Sequence, residues 1–554
     1  MSPLSGRRPR SSGALLMRRM FAAQAESERR GMVLEELLGA ATQQHEAGAR
    51  AEAGGSHGRT RRELLAGGAG LAAGVALSVS PASSVTRATA SRGAPRIAVV
   101  GAGLAGVRCA HMLWTARPHH PVRATVYEAN RSRAGGRCWT LRDFFAAGLI
   151  TEHGGEFIDS THGPIRRLVA QLGLKLEVAN GGDLPVGQDI YFIDGAYYTP
   201  AEATADWKLV GYHAFRHASN QLQRAAGAAR LDAMSVPEWL ESTSIGTGSR
   251  LGKLLLANTV TENGGDPGDQ SALDLVQITA GSPRSTLELL PGDDERYHVV
   301  GGNDQIVERM ITKLPRGTAR LGHELIAVRE NIDRSITLVF DTPGRTVEVL
   351  ADYVVLALPF STLRDVDLSG SGLSVAKRRV IRGLGMGTNA KIHVELSHKT
   401  WPALGFAGAA YSEWDSFCCA WDDSVPLGPA ASPALLLGFP GGRVGAHRLT
   451  GAAHGPAPAR DLGWFLDQIE PVYPGTSSAA TGRAYEDHWA RDRWVHGAYS
   501  YFRVGQANTF GEIGAAPEGR FHFAGEHTSI DYQGFLNGAV ETGERAARAL
   551  LRLI

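Results

Sequence analysis

An α/β fold is predicted: a parallel, dinucleotide-binding sheet with helices, joined to a second, interleaved unit of mixed α+β structure. Three observations predict it. Residues 96–100 read as a short buried strand that runs directly into Gly101-Ala102-Gly103-Leu104-Ala105-Gly106 and then into a helical stretch through Leu113. Residues 124–127 form a second apolar strand ending on Glu128, 22 residues past Gly106. Short alternating runs at 324–328, 336–340 and 347–349 suggest a β-meander, followed by a strand over 351–359 that enters a proline turn.

In the glycine turn, Gly101 allows the tight bend, Gly103 lets a pyrophosphate approach the backbone, and Gly106 lets helix and strand pack closely. The phosphates then meet the positive end of a helix. Glu128 stands where a ribose hydroxyl needs a carboxylate.

Composition limits the partners. Of 554 residues, 43% are hydrophobic and 20% charged, which is ordinary for a globular chain. Lys and Arg number 57 against 56 Asp and Glu, a balance that calls for neither nucleic acid nor a membrane surface. Cys109, Cys138, Cys418 and Cys419 contain no CxxC pair, so no metal site and no disulfide framework is expected. Cys418 and Cys419 read as small buried residues, because adjacent cysteines rarely reach relaxed disulfide geometry.

Residues 1–59, rich in Arg, Ala, Gly and Ser, read as a disordered leader. Over residues 60–90, Thr60-Arg61-Arg62-Glu63-Leu64-Leu65 precedes a Gly/Ala-rich apolar stretch to about Val79, and Ala88-Thr89-Ala90 offers a small-x-small cleavage site. This resembles a twin-arginine signal peptide; the alternative is an Arg pair before an ordinary helix. Export to the periplasm or the exterior follows, with translation starting at Met20 or Met32 as an option. No permanent membrane anchor is expected, since the apolar stretch is shorter than the roughly 20 residues a span requires.

Beyond the first turn, Glu128-Ala129 and Arg133-Ala134-Gly135-Gly136-Arg137 resemble the "EA…R.GGR" segment of the flavin amine oxidase family. The likeness continues in order through Glu152 to Asp159, Val299 to Asn303, and the strand-to-proline run ending at Pro359. It closes on Phe521 to Thr528 and Gln533 to Glu541. This resemblance implies an FAD-binding Rossmann-like (GR2-type) domain assembled from residues 95–176, 297–380 and 490–554. The interleaved substrate domain would come from 177–296 and 381–489, with helices over 201–256.

The same resemblance assigns FAD contacts. Gly101, Gly103, Gly106 and Glu128 serve the first nucleotide turn, and Ala129, Gly135, Gly136 and Arg137 lie beside the pyrophosphate. An arginine suits that place because its guanidinium grips phosphate in a fork, although a solvated charge is the alternative. Gly154, Gly155 and Glu156 pass under the flavin, and the Leu325 backbone meets adenine. Glu526, after Gly525, reaches ribitol hydroxyls, while a helix starting near Gly534 and Leu536 aims its N-terminus at the pyrimidine carbonyl.

Lys391 matches the family lysine that holds a water beside the reactive ring nitrogen; an edge-strand surface lysine is the alternative. Tyr499 and Phe535 match the two walls of an aromatic cage, or are plain core. Ala498 stands where the monoamine oxidases carry the cysteine bonded to flavin, so FAD is expected to be non-covalent. The resemblance implies hydride transfer from the carbon bearing the amine, hydrolysis of the imine, and reoxidation by dioxygen with release of hydrogen peroxide.

Phe157 occupies the place of a carboxylate-binding arginine in many amino-acid oxidases, which weakens that reading unless Arg142 or Arg166 substitutes. Asp159 falls where some polyamine oxidases carry an acid, so a second cationic group on the substrate is one reading and a helix cap the other. L-amino-acid oxidation and C–C dehydrogenation on the same fold remain alternatives. The expected partners are a small amine and dioxygen, and a homodimer is left open. The residues before Ile554 carry no apolar run of spanning length, unlike the tails of the mitochondrial monoamine oxidases.

Overall fold

Ile97–Val100 is buried throughout because both of its faces are covered. It is the middle strand of a five-stranded sheet in the order Phe521–Phe523, Tyr353–Leu356, Ile97–Val100, Ala124–Tyr127, Ala319–Arg320. Every pairing in it is parallel. Ile97 and Val99 pack against the helices Leu104–Thr115, Gly163–Gln171, Gln305–Thr312 and Leu536–Leu553. Ala98 and Val100 pack on the other side, against an antiparallel meander of Glu324–Glu330, Ile336–Thr342 and Arg345–Ala351. Burial on both faces is what an all-parallel sheet requires.

The computed structural model describes residues 94–554 apart from 118–121, 180–187 and 429. The leader expected over 1–59 and the twin-arginine segment expected over 60–90 lie outside the described residues. Among the described residues no helix is long and apolar enough to cross a membrane.

The turn after the first strand is as tight as its glycines predict. Gly101 has φ +101°, and a Cβ there would lie 2.8 Å from the Ala357 carbonyl oxygen. A Cβ on Gly106 would lie 2.0 Å from the Gly101 oxygen, so the helix can close on the strand only with hydrogen at that place.

A second sheet of eight strands runs His454–Pro456, Ala480–His488, Ala390–Leu396, Ala434–Gly438, Cys419–Asp422, Phe406–Tyr411, Gln188–Ile193, Ala196–Tyr198. Its pairings are antiparallel except between Phe406–Tyr411 and Gln188–Ile193. Helices from Pro200 to Asn263 stand where helical spacing was expected. Ala390–Leu396 lies inside this sheet with all seven residues buried. Ile392, Val394 and Leu396 enter an apolar core with Phe417, Leu436 and Phe465. Strand alternation therefore puts Lys391, His393 and Glu395 together on the opposite face.

One boundary differs from expectation. The last helix spans Leu536–Leu553 with Phe535 as its N-cap, so it starts two residues after Gly534, whose φ of +89° is not helical.

Candidate active site

A cavity of about 670 Å³ begins at the first glycine turn and ends in the second sheet. The residues singled out from the sequence line it, with two exceptions, Gly106 and Asp159. Gly106 instead closes the turn from below.

The nucleotide end is built from two adjacent turns. Gly135 N–H donates to the Ala102 oxygen at 2.9 Å, and Gly103 bridges Gly135 in parallel register. A Cβ on Gly103 would meet nothing nearer than the Gly135 oxygen at 3.9 Å, so the backbone there is open to the cavity. Glu128 accepts from Ala102 N–H at 2.7 Å and from Asn130 N–H at 2.8 Å. Burial raises its pKa. Farther along, a Cβ on Gly155 would lie 2.6 Å from the Leu536 side chain, so any larger residue there would have to push that leucine aside. Leu325 lines the cavity beside His323 and Glu324.

Glu526 ties three chain segments together. It accepts from Arg137 at 2.9 Å, from the Ser500 hydroxyl at 2.8 Å and from Gly534 N–H at 2.9 Å. Burial pushes its pKa upward, but Arg137, His527 and these bonds outweigh it and hold the carboxylate low. Arg137 also donates to the Ala498 oxygen at 2.6 Å. No side chain caps helix Leu536–Leu553, and its first residues line the cavity, so its positive end faces the chamber. Open backbone at two glycine turns, a carboxylate beside the first, and an uncapped helix end fit a flavin dinucleotide.

The far end of the cavity is the chamber. Lys391 is only 4% exposed, which overturns the edge-strand alternative. Its ammonium donates to the Glu152 carbonyl and to Glu156 Oε2, both at 2.7 Å, leaving a third hydrogen for a water. Glu156, read from the sequence as a cofactor contact, gives its carboxyl to Lys391 and, through Oε1, to Trp421 Nε1–H at 2.9 Å. Its pKa rises to about 7, from burial first and then from Asp423, against the pull of Lys391. Phe157 sits 5.7 Å from the Trp421 ring, and Tyr499 is anchored by its hydroxyl to the Thr261 carbonyl. Phe535 is on the same cavity wall, 5.0 Å from the His162 ring.

Asp159 does not enter this chamber. It is 1% exposed, accepts from Glu295 N–H at 2.8 Å, and lies 3.1 Å from His162 Nε2. Burial and the neighbouring Asp293 and Glu295 raise its pKa to about 8. It is no helix cap either, since the N-cap of Gly163–Gln171 is His162. Asp189, Glu262, Asp274 and Glu295 are among the carboxyls that do line the cavity, with Glu156. Glu295 rises to about 8 through burial and the charges of Glu262, Asp293, Glu156 and Asp189. The two arginines proposed as substitutes also lie elsewhere. Arg142 is held by Asp304 at 2.7 Å, and Arg166 donates to the Ser160 oxygen. Among the described residues the arginines on the wall are Arg133, Arg137 and Arg493. They pair with the Gly136 oxygen, Glu526 and Glu324.

Sequence reasoning missed Trp421, Asp423, His393 and Asp487. The signal for His393 was present as polar residues at 391, 393 and 395 alternating with Ile392, Val394 and Leu396. Trp421 and Asp423 carried no such pattern.

The family model described as flavin containing amine oxidoreductase matches residues 104–551. Amine oxidase [flavin-containing] B of Sus scrofa is 26% identical over 480 residues, covering 82% of this chain and 86% of that protein. Amine oxidase [flavin-containing] A of Bos taurus is 26% identical over 485 residues, covering 83% and 85%. In structure the chain resembles cyclohexylamine oxidase from Brevibacterium oxydans IH-35A, with TM-score 0.69, 22% identity, and coverage of 83% and 99%. A putrescine oxidase bound to putrescine gives TM-score 0.67, 22% identity and the same coverage. The chain belongs to the flavin-containing amine oxidoreductase family.

Proposed function

We propose that this protein oxidises a primary or secondary amine to the imine, which hydrolyses to the aldehyde, with dioxygen as electron acceptor and hydrogen peroxide as product. The observation that carries this reading is the continuity of one cavity, in which a nucleotide cradle opens into a chamber with a buried ammonium, aromatic walls and a group of carboxyls. FAD bound in the cradle supplies the two-electron acceptor. The chain supplies position and field. Tyr499, Phe157, Trp421 and Phe535 exclude water around the reacting carbon, and Lys391 presents its free N–H to dioxygen reduction, where negative charge develops.

Asp189, Glu262, Asp274 and Glu295 support a cationic substrate, and their number supports a second positive group at a distance from the reacting amine. They take the part first assigned to Asp159. That the compared solved structures are named for cyclohexylamine and putrescine oxidases agrees with an amine. Among the described residues no arginine on the wall is left to pair with a substrate carboxylate, which disfavours an amino acid. Non-covalent binding is supported by Ala498 and by the two cysteines that line the cavity, Cys138 and Cys419. Burial raises both thiols well above their ordinary value, so neither is a ready nucleophile. The Arg61-Arg62 segment supports export of the folded, cofactor-loaded protein.

Purified protein tested on a panel of monoamines, diamines and amino acids should release peroxide and lose its yellow colour anaerobically with amines. Peroxide release with none of the amines would overturn the reading. Colour that stays with the acid-denatured polypeptide would overturn non-covalent binding.

A further inference from the structure

We propose that Glu156, backed by Asp423, is the base that takes the proton from the bound ammonium, and that His393, Asp487 and His454 form the path by which that proton leaves. The proposal rests on the amine reading above. An amine substrate arrives at neutral pH as R–NH3+ and must lose a proton before its carbon can give up a hydride. In this step the N–H bond breaks, its electron pair stays on nitrogen, and the proton forms an O–H bond on the Glu156 carboxylate. No electrons leave the substrate.

The geometry places such a group where it is needed. Glu156 lines the chamber, and each of its oxygens already accepts one hydrogen bond, from Lys391 and from Trp421. Asp423 stands near it, and its charge raises the Glu156 pKa. A second carboxyl near Glu156 in a buried wall makes its ionised form costlier and favours uptake of a proton there. The Asp423 Oδ2 atom is buried with no hydrogen-bond partner and lies 3.8 Å from His393 Nδ1, which is 2.9 Å from the Thr151 hydroxyl.

From His393 a chain of hydrogen bonds runs through the core. His393 Nε2 is 3.1 Å from Asp487 Oδ2. Asp487 Oδ1 is 2.7 Å from His153 Nδ1 and 2.6 Å from His454 Nδ1. His454 Nε2 is 2.9 Å from Asp492 Oδ2, beside Arg493, whose side chain is 68% exposed. His393 and Asp487 are fully buried, so their only partners are one another and their neighbours in this chain. A pair of like carboxyls in a buried wall opposes stability, and an apolar wall would hold the fold better.

The charges alternate along the path. The pKa of Glu156 near 7, set by burial and Asp423, suits a base at neutral pH. Burial lowers His393, but the nearby carboxyls of Asp423 and Asp487 outweigh that and raise it. Burial raises Asp487, but three imidazoles outweigh that and keep it ionised. The other charged groups facing Glu156 are Lys391, on strand Ala390–Leu396, and Glu295, on the segment before Tyr297–Val299. Those facing His393 besides the two aspartates are Lys391 and His153.

The test uses Glu156→Gln and Asp423→Asn in the flavin-loaded protein, with two amines of different basicity mixed anaerobically. In wild type the rate of flavin bleaching should rise with pH through about 7 with both amines, since this ionisation belongs to the protein. Glu156→Gln should slow bleaching at pH 7 by about 10²–10⁴-fold and abolish that limb. Asp423→Asn should move the limb to lower pH, and it reads the same ionisation if Glu156→Gln does not fold. A second measurement needs no turnover. Infrared difference spectra of the substrate-free protein between pH 5.5 and 9 should show a titrating protonated-carboxyl band that Glu156→Gln loses, Asp423→Asn moves to lower pH and His393→Asn shifts. A limb that stays near 7 in Glu156→Gln, or a wild type without the band but with amine-dependent bleaching, overturns the base alone. A band without bleaching by any amine overturns the amine reading and the base with it.

Discussion

Lys391 carries a buried positive charge whose two assigned hydrogens are taken by Glu152 and Glu156. Replacing it by Met keeps the volume of the stem and removes the charge, while Glu156 can stay neutral by holding its proton. The nucleotide cradle lies at the other end of the cavity and should be untouched. Lys391→Met is therefore expected to retain FAD, and to slow reoxidation by dioxygen about 10²-fold, the scale of one preorganised donor. Stopped-flow mixing of the reduced protein with oxygen measures it. The substrate carboxyls give a paired prediction. Glu295 lines the chamber and Asp159 does not. Glu295→Gln should cut the preference for a diamine over a monoamine about tenfold in kcat/KM, whereas Asp159→Ala should leave that ratio alone. At this scale the sequence named the place of Lys391 but not its partners. Glu156 and Trp421 meet only because segments 265 positions apart converge. Asp159 misled for the converse reason, since its neighbour in space is Glu295.

Elements were more legible, because each follows from a local pattern. The glycine turn, the meander and helix Leu104–Thr115 could be read because four apolar residues, three glycines and an alternating period constrain the backbone without help from distant chain. The start of the last helix was less legible. Gly534 can adopt a positive φ that other residues resist, and this delays the helix to Leu536. The turn offers a sharp test. In Gly106→Ala the new methyl would meet the Gly101 oxygen at 2.0 Å, and that atom is backbone that can move only by opening the cradle. The variant should lose about 1–3 kcal/mol of stability, the usual cost of overpacking, and much of its FAD affinity. Flavin fluorescence on titration and thermal unfolding read the two effects. An unchanged dissociation constant would mean that strand and helix can separate there without harm to the cradle.

On the scale of the whole molecule, a net charge of +1 conceals where the charges sit. Three carboxyls have raised pKa values, Glu156 to about 7 and Asp159 and Glu295 to about 8. In the unfolded chain such groups titrate near about 4. Their folded values are raised, so the stability they contribute is complete below about 4 and is lost as pH rises through 7 to 8. His393 and His454 are raised as well and act in the same direction above about 6.5. Lys377 opposes them. Burial lowers it to about 7, so its contribution grows as pH rises above that value. His111, His522 and His527, lowered to about 4 by burial, have given their contribution by about pH 6.5. Between about pH 6.5 and 8 the folded chain thus binds more protons than the unfolded one, and the midpoint of thermal unfolding should fall across that range. A bound diamine supplies the positive charge that an ionised Glu295 lacks, so it should raise the midpoint more at pH 8.5 than at pH 6.5. Scanning calorimetry with and without the diamine decides both points. A midpoint that climbs from pH 6.5 to 8 in the free protein would show that these carboxyls are ionised and neutralised by groups other than their protons.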